Sequence, residues 1–121
     1  MYEVRVQHRF RAAHGLRMYD GRREPPHEHD WLIEAVFRGQ QLDAIGVLVD
    51  FTRVRQVLHT VTGSLVGRDL GTVPRLAGAN PSAENVARCL FEAVRAALGP
   101  DAPLVELRVE EEPGCFASYL A

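Results

Sequence analysis

His14, His27 and His29 are the residues of this chain whose type and spacing best suit chemistry. Alternate side chains of an extended segment share a face, so His27 and His29 present their imidazoles on one side, close enough to hold one ion. His14, which closes the first apolar run, supplies a third imidazole. Zinc at catalytic centres is typically held by three protein ligands, with a fourth position left for water or substrate, and neutral imidazole suits that ion. The set points to an open metal centre. The plainer reading of His27-Glu28-His29 is a polar, solvated strand start, and His8 and His59 are read as ordinary histidines.

Two carboxylates accompany the histidines. Glu24 lies three residues before His27 in Glu24-Pro25-Pro26-His27. Beside an open zinc it could take a proton from a metal-bound hydroxyl, because the ion acidifies that hydroxyl, and two prolines stiffen its approach. The alternative is one more charged loop residue. Glu111 continues the alternation Val105, Leu107, Val109, so strict parity places it on the apolar face, where a carboxylate is costly unless paired. It could anchor a flat heterocycle with adjacent N–H donors, such as a guanine-like or pterin-like ring, through two parallel hydrogen bonds. Equally, it could turn to solvent among Glu110 and Glu112.

The elements that must position these groups follow from periodicity. Val4, Val6 and Phe10 alternate with polar residues up to His14, as in a strand with one buried face. Gly15 to Pro26, rich in Gly, Arg and Pro, reads as a mobile loop. From His27 onward Trp31, Ile33, Ala35 and Phe37 define a second strand whose inward face begins with the two histidines. Asp50 or Thr52 can cap a helix carrying Val54, Val57, Leu58 and Val61 and closing near Gly63. Asn80-Pro81 opens a second helix lined by Val86, Leu90, Val94 and Leu98 and ended by Gly99, while Ser64 to Ala79 is irregular. Strands over Val105–Val109 and Phe116–Leu120 complete an α+β fold, a four-stranded antiparallel sheet with two helices on one face.

At 121 residues with a net charge of −2, the chain fits one domain spanning 1–121, and it has no basic field to attract nucleic acid. The alternating start MYEVRVQHRF resembles neither a signal peptide nor a membrane span, so a cytoplasmic location is expected. Cys89 and Cys115 form no CxxC pair and read as buried free thiols. A small domain whose sheet leaves free edges makes assembly with further copies plausible.

The strings Phe10-Arg11-Ala12-Ala13-His14, His27-Glu28-His29, Gly46-Val47-Leu48-Val49-Asp50-Phe51, Asn80-Pro81-Ser82-Ala83-Glu84-Asn85 and Val109-Glu110-Glu111-Glu112-Pro113 with Tyr119 resemble, in order, the 6-pyruvoyl-tetrahydropterin synthase and 6-carboxytetrahydropterin synthase family. The resemblance implies a tunnelling fold (T-fold) assembled as a homo-oligomer, commonly a hexamer of two trimers, with sites at subunit interfaces. It implies Zn2+ on His14, His27 and His29, and a pterin ring anchored by Glu111 with help from Ser82 and Glu84. The family substrate is 7,8-dihydroneopterin triphosphate.

Two departures bear on the reaction. The family's usual cysteine base is absent from Met18 to Pro26, and Glu24 resembles the base of the branch that cleaves the side chain to 6-hydroxymethyl-7,8-dihydropterin for folate synthesis. The family's usual Asp-His pair is replaced by Val66 and Gly67, with Asp69 or His59 as possible substitutes. The expected activity is a zinc-dependent lyase using Glu24. The alternatives are the 6-carboxytetrahydropterin synthase of queuosine (deazapurine) biosynthesis, or a non-catalytic pterin-binding module.

Overall fold

The computed structural model describes every residue except Ala77. Four strands, β1 (Tyr2–His14), β2 (His27–Gly39), β3 (Leu104–Glu112) and β4 (Cys115–Leu120), form one antiparallel sheet in the order β1-β2-β3-β4. Helices α1 (Phe51–Gly63) and α2 (Ala83–Leu98) pack on one face, giving the α+β layering that the periodicity predicts. No described helix is long and apolar enough to cross a membrane.

The β1–β2 hairpin is the frame of the molecule. Its register runs unbroken from Tyr2 opposite Gly39 to His14 opposite His27, with Ala12 opposite His29. Val6, Phe10, Ala12 and His14 from β1 and Trp31, Ile33, Ala35 and Phe37 from β2 are all buried, so one face carries both the core and the histidines. The opposite face is charged: Arg5 and Gln7 hold Glu34 at 3.0 and 2.8 Å, and Arg11 reaches Glu28 and Asp30.

Both helices contribute apolar stripes to the core, Val54, Val57, Leu58 and Val61 from α1 and Val86, Leu90, Phe91 and Val94 from α2. Each wholly buried leucine, such as Leu58 or Leu90, supplies ~1.5–3 kcal/mol of hydrophobic stabilisation. The Asp50 side chain caps α1 through the Thr52 amide. For α2 the cap is Ser82, which accepts from the Asn85 amide, whereas Asn80 is drawn away to bind the backbone of Arg17. The sequence placed that start at Asn80 because Asn-Pro mimics a cap and first turn; a tertiary partner for Asn80 moves it two residues on.

Three further expectations change. A bulge opposite Val36 and Phe37 inserts Val105 as an extra residue, so Leu104 enters the core in its place. Cys115 is exposed, because it follows directly on the Pro113-Gly114 turn; Cys89 is buried as expected. The segment Ser64 to Ala79, read as irregular, contains two short 3-10 turns at Leu70–Thr72 and Pro74–Leu76.

Candidate functional site

The hairpin register brings His14 across from His27, and the two-residue repeat along β2 adds His29 on the same face. The three rings lie 4.7 to 5.3 Å apart between centroids, and each offers one nitrogen within 4.8 Å of the others. Trp31, wholly buried with its indole N–H donated to Ala12 O, forms the floor beneath His14 and His29.

His14 is oriented from behind. Its Nδ1 lies 2.7 Å from the carbonyl of Pro81, which can only accept, so Nδ1 carries the proton and Nε2 is the nitrogen left for an ion. Nε2 in turn faces Glu111 Oε1 at 2.9 Å. With Nδ1–H committed to Pro81, nitrogen and carboxylate oxygen both offer lone pairs, an arrangement that a shared proton or cation satisfies. His29 Nε2 is buried with no hydrogen-bond partner among the described residues, although buried polar atoms are nearly always paired. This orphaned nitrogen, the all-imidazole donor set and the backbone-oriented His14 fit a zinc-type ion.

Glu111 follows the parity of the buried Leu107 and Val109 and lies at a second bulge. Glu110 pairs with Phe116 and Glu112 with Cys115, leaving Glu111 as the extra residue on β3. Bulges are common next to functional sites. Glu111 shares a cavity of about 440 Å³ with Ser82, Glu84, Leu16 and Cys115. That volume lies in the range of small-molecule pockets and suits a two-ring heterocycle.

The segment from Gly15 to Pro26, read as a mobile loop, is a pinned hairpin. Arg17 bridges to Arg23, and Gly21 N bonds to Met18 O at its tip. Glu24 is held twice against Leu16: its amide donates to Leu16 O, and its Oε1 accepts from Leu16 N at 2.9 Å. Gly15 is required here, because a Cβ would stand 2.3 Å from the Glu24 carbonyl oxygen. Glu24 thus sits beside the Leu16 wall of the cavity without joining the histidine cluster.

Neither suggested substitute for the missing Asp-His pair belongs to that cluster. Asp69 gives both carboxylate oxygens to Arg23, and His59 packs edge-on against His8, with centroids 5.9 Å apart, between α1 and β1. Spacing could not reveal the Arg23–Asp69 pair, which joins residues 46 apart in sequence.

An α+β sheet with helices on one face and a three-histidine cluster beside a pocket is the arrangement of a pterin-synthase-like domain, and comparison bears this out. The family model for 6-pyruvoyl tetrahydropterin synthase matches residues 3–121. The structure of Caenorhabditis elegans 6-pyruvoyl tetrahydropterin synthase is similar, with a TM-score of 0.86 at 19% identity over 99% of this chain and 95% of that one. The Plasmodium falciparum enzyme superposes with a TM-score of 0.78 at 17% identity, covering 98% and 96% of the two chains. A Plasmodium vivax variant gives 0.75 at 15% identity over 98% and 96%; in it a glutamate described as a catalytic residue is replaced by alanine. No curated protein sequence matches the chain. The chain belongs to the 6-pyruvoyl tetrahydropterin synthase family, whose members are lyases, and has the family's T-fold.

Proposed function

We propose that this protein is a zinc-dependent lyase that cleaves the side chain of 7,8-dihydroneopterin triphosphate to give 6-hydroxymethyl-7,8-dihydropterin. The observation that carries the reading is the convergence of His14, His27 and His29, with His14 in contact with Glu111, a residue that lines a pocket of bicyclic-ring size. His14, His27 and His29 would hold the ion, and zinc so bound would acidify a side-chain hydroxyl of the substrate.

The remaining work falls to the chain's own groups. Glu111 accepts two N–H donors from the pterin edge and fixes the ring, with the Ser82 hydroxyl and Glu84 lining the same cavity. Glu24, oriented by the Leu16 amide on Oε1, receives the hydroxyl proton on its other oxygen. As that proton leaves, the hydroxyl becomes a carbonyl and the adjacent C–C bond breaks. Its electron pair passes into the conjugated ring system, which then takes up a proton. The step needs one base and an electron sink, and no second acid/base pair. A carboxylate base also agrees with the P. vivax relative, in which a glutamate is described as a catalytic residue.

Identification of the pterin formed from dihydroneopterin triphosphate by the zinc-loaded protein tests the reading. Hydroxymethyl product supports it, while a carboxy product would assign the chain to the 6-carboxytetrahydropterin synthase reaction. Glu24→Gln is expected to lower kcat by ~10²–10⁴-fold, the usual contribution of a general base, with pterin binding retained. Tight binding without turnover would instead mark a pterin-binding module. The proposed assembly is a homo-oligomer, a hexamer of two trimers, supported by the open edges of the sheet.

A further inference from the structure

Arg23 and Asp69 sit outside the histidine cluster, yet they are bound to each other by a charge-assisted contact in which one guanidinium nitrogen, Nη2, lies 2.9 Å from both Oδ1 and Oδ2. We infer that this pair is a clamp that positions Glu24, so that Asp69 acts on the reaction through the Glu24 hairpin and not at the metal. The inference rests on Glu24 being the base.

The anchored end of the clamp is Asp69. It forms a bridge with Ala13 at the end of β1, where Gly67 N also bonds to Arg11 O and Ala13 N to Arg68 O. Asp69 Oδ1 additionally accepts from Gly71 N at 3.0 Å, capping the 3-10 turn. The carboxylate is therefore fixed to the same strand that carries His14. At the other end Arg23 immediately precedes Glu24, and the backbone bridge Arg17–Arg23 sets the pairing that places Glu24 against Leu16. A short two-stranded ribbon is marginal unaided, so its position depends on what holds it from outside.

The seat for the guanidinium is shaped for it. Gly71 lies under Arg23 so closely that a Cβ would stand 2.5 Å from Nη2 and 3.3 Å from Asp69 Oδ1. Arg23 Nε also lies 3.4 Å from Gly15 O, and lysine, with a single ammonium, cannot make that contact together with the one to both Asp69 oxygens. Asn80 provides a second tie on the same hairpin, exchanging two hydrogen bonds of 2.8 and 2.9 Å with the Arg17 backbone. Exposed ion pairs add little to global stability, so the clamp's effect is local position.

The test reads the hairpin and the reaction separately. In the full chain, hydrogen exchange at the Leu16 amide, which donates to Glu24, is followed by NMR in Arg23→Ala, Arg23→Lys and Asp69→Asn, with Glu24→Ala as the control that removes the acceptor. Exchange is expected to quicken about tenfold or more in the clamp variants while central β1–β2 amides stay protected. Guanidinium chloride at non-denaturing concentration should restore Leu16 protection in Arg23→Ala, and equal sodium chloride should not. In turnover, Arg23→Ala should lose roughly 10- to 100-fold in kcat with KM little changed, and lose nothing further when combined with Glu24→Gln. Unchanged Leu16 exchange in both Arg23→Ala and Asp69→Asn overturns the clamp, as does an equal loss of turnover with and without the Glu24 carboxylate. Full activity of Glu24→Gln overturns the base assignment alone, since exchange decides whether the hairpin is clamped.

Discussion

At the scale of single residues, the candidate site depends on side chains whose partners are backbone atoms. Pro81 O selects the His14 tautomer, and Ala12 O receives the Trp31 indole, so ring orientation is set by the main chain of α2's approach and of β1. Replacing His29 by Ala removes one of the three nitrogens; metal analysis of the purified variant should find bound zinc reduced by at least ~10-fold relative to the native chain. Trp31→Ala, at a wholly buried position beneath two of the histidines, is expected to cost ~3–5 kcal/mol in urea unfolding, because it leaves a cavity. Glu111→Gln loses the charge that strengthens both bonds to a pterin edge. Pterin affinity, read by fluorescence titration, should fall by roughly 10-fold or more.

At the scale of elements, β1 and β2 align the histidines while caps and turns decide what surrounds them. Ser82→Ala should destabilise the chain by about 1 kcal/mol through loss of the α2 cap, and thermal or urea unfolding will read it. Where α1 crosses β1, burial and the neighbouring His59 hold the His8 imidazole below the ordinary histidine pKa. The unfolded chain therefore takes up the His8 proton first. This contribution to stability is intact above the ordinary histidine value near 6.5 and is lost as pH falls through the lower, folded-state value. His8→Gln should accordingly flatten the decline of unfolding free energy between about pH 7 and 5.

At the scale of the whole molecule, the sheet has two outer strands, β1 along the 13 residues Tyr2–His14 and the shorter β4. Near His14 the outer side of β1 is covered by the segment through Gly67 and Arg68, whereas Phe116 and Leu120 on β4 remain half-exposed or more. An exposed edge with apolar side chains invites pairing with another copy. Sedimentation equilibrium should give six times the chain mass; a monomer across the accessible concentrations would remove the assembly from the proposal.

How much could be read without coordinates depends on the range of the interactions. Alternation over Val4 to His14 and over Trp31 to Phe37, and the 3.6-residue stripes of Val54 to Val61 and Val86 to Leu98, report local geometry directly, so the succession of elements along the chain and the core-facing parity of the histidines were legible. The cap at Ser82, the exposed thiol of Cys115, and the inward turn of Leu104 each hinge on a turn, a bulge or a distant partner, to which period-two and 3.6-residue patterns are blind. By itself the sequence determined that His14 on β1 and His27 and His29 on β2 share the parity of the buried apolar residues, because covalent spacing fixes the direction of neighbouring side chains along each strand. Only the tertiary structure decided that Glu111 meets His14, that Glu24 is held at Leu16, and that Asp69 binds Arg23 instead of joining the histidines. Those contacts close between segments far apart in the chain, where packing and backbone hydrogen bonds, not sequence spacing, choose the partner.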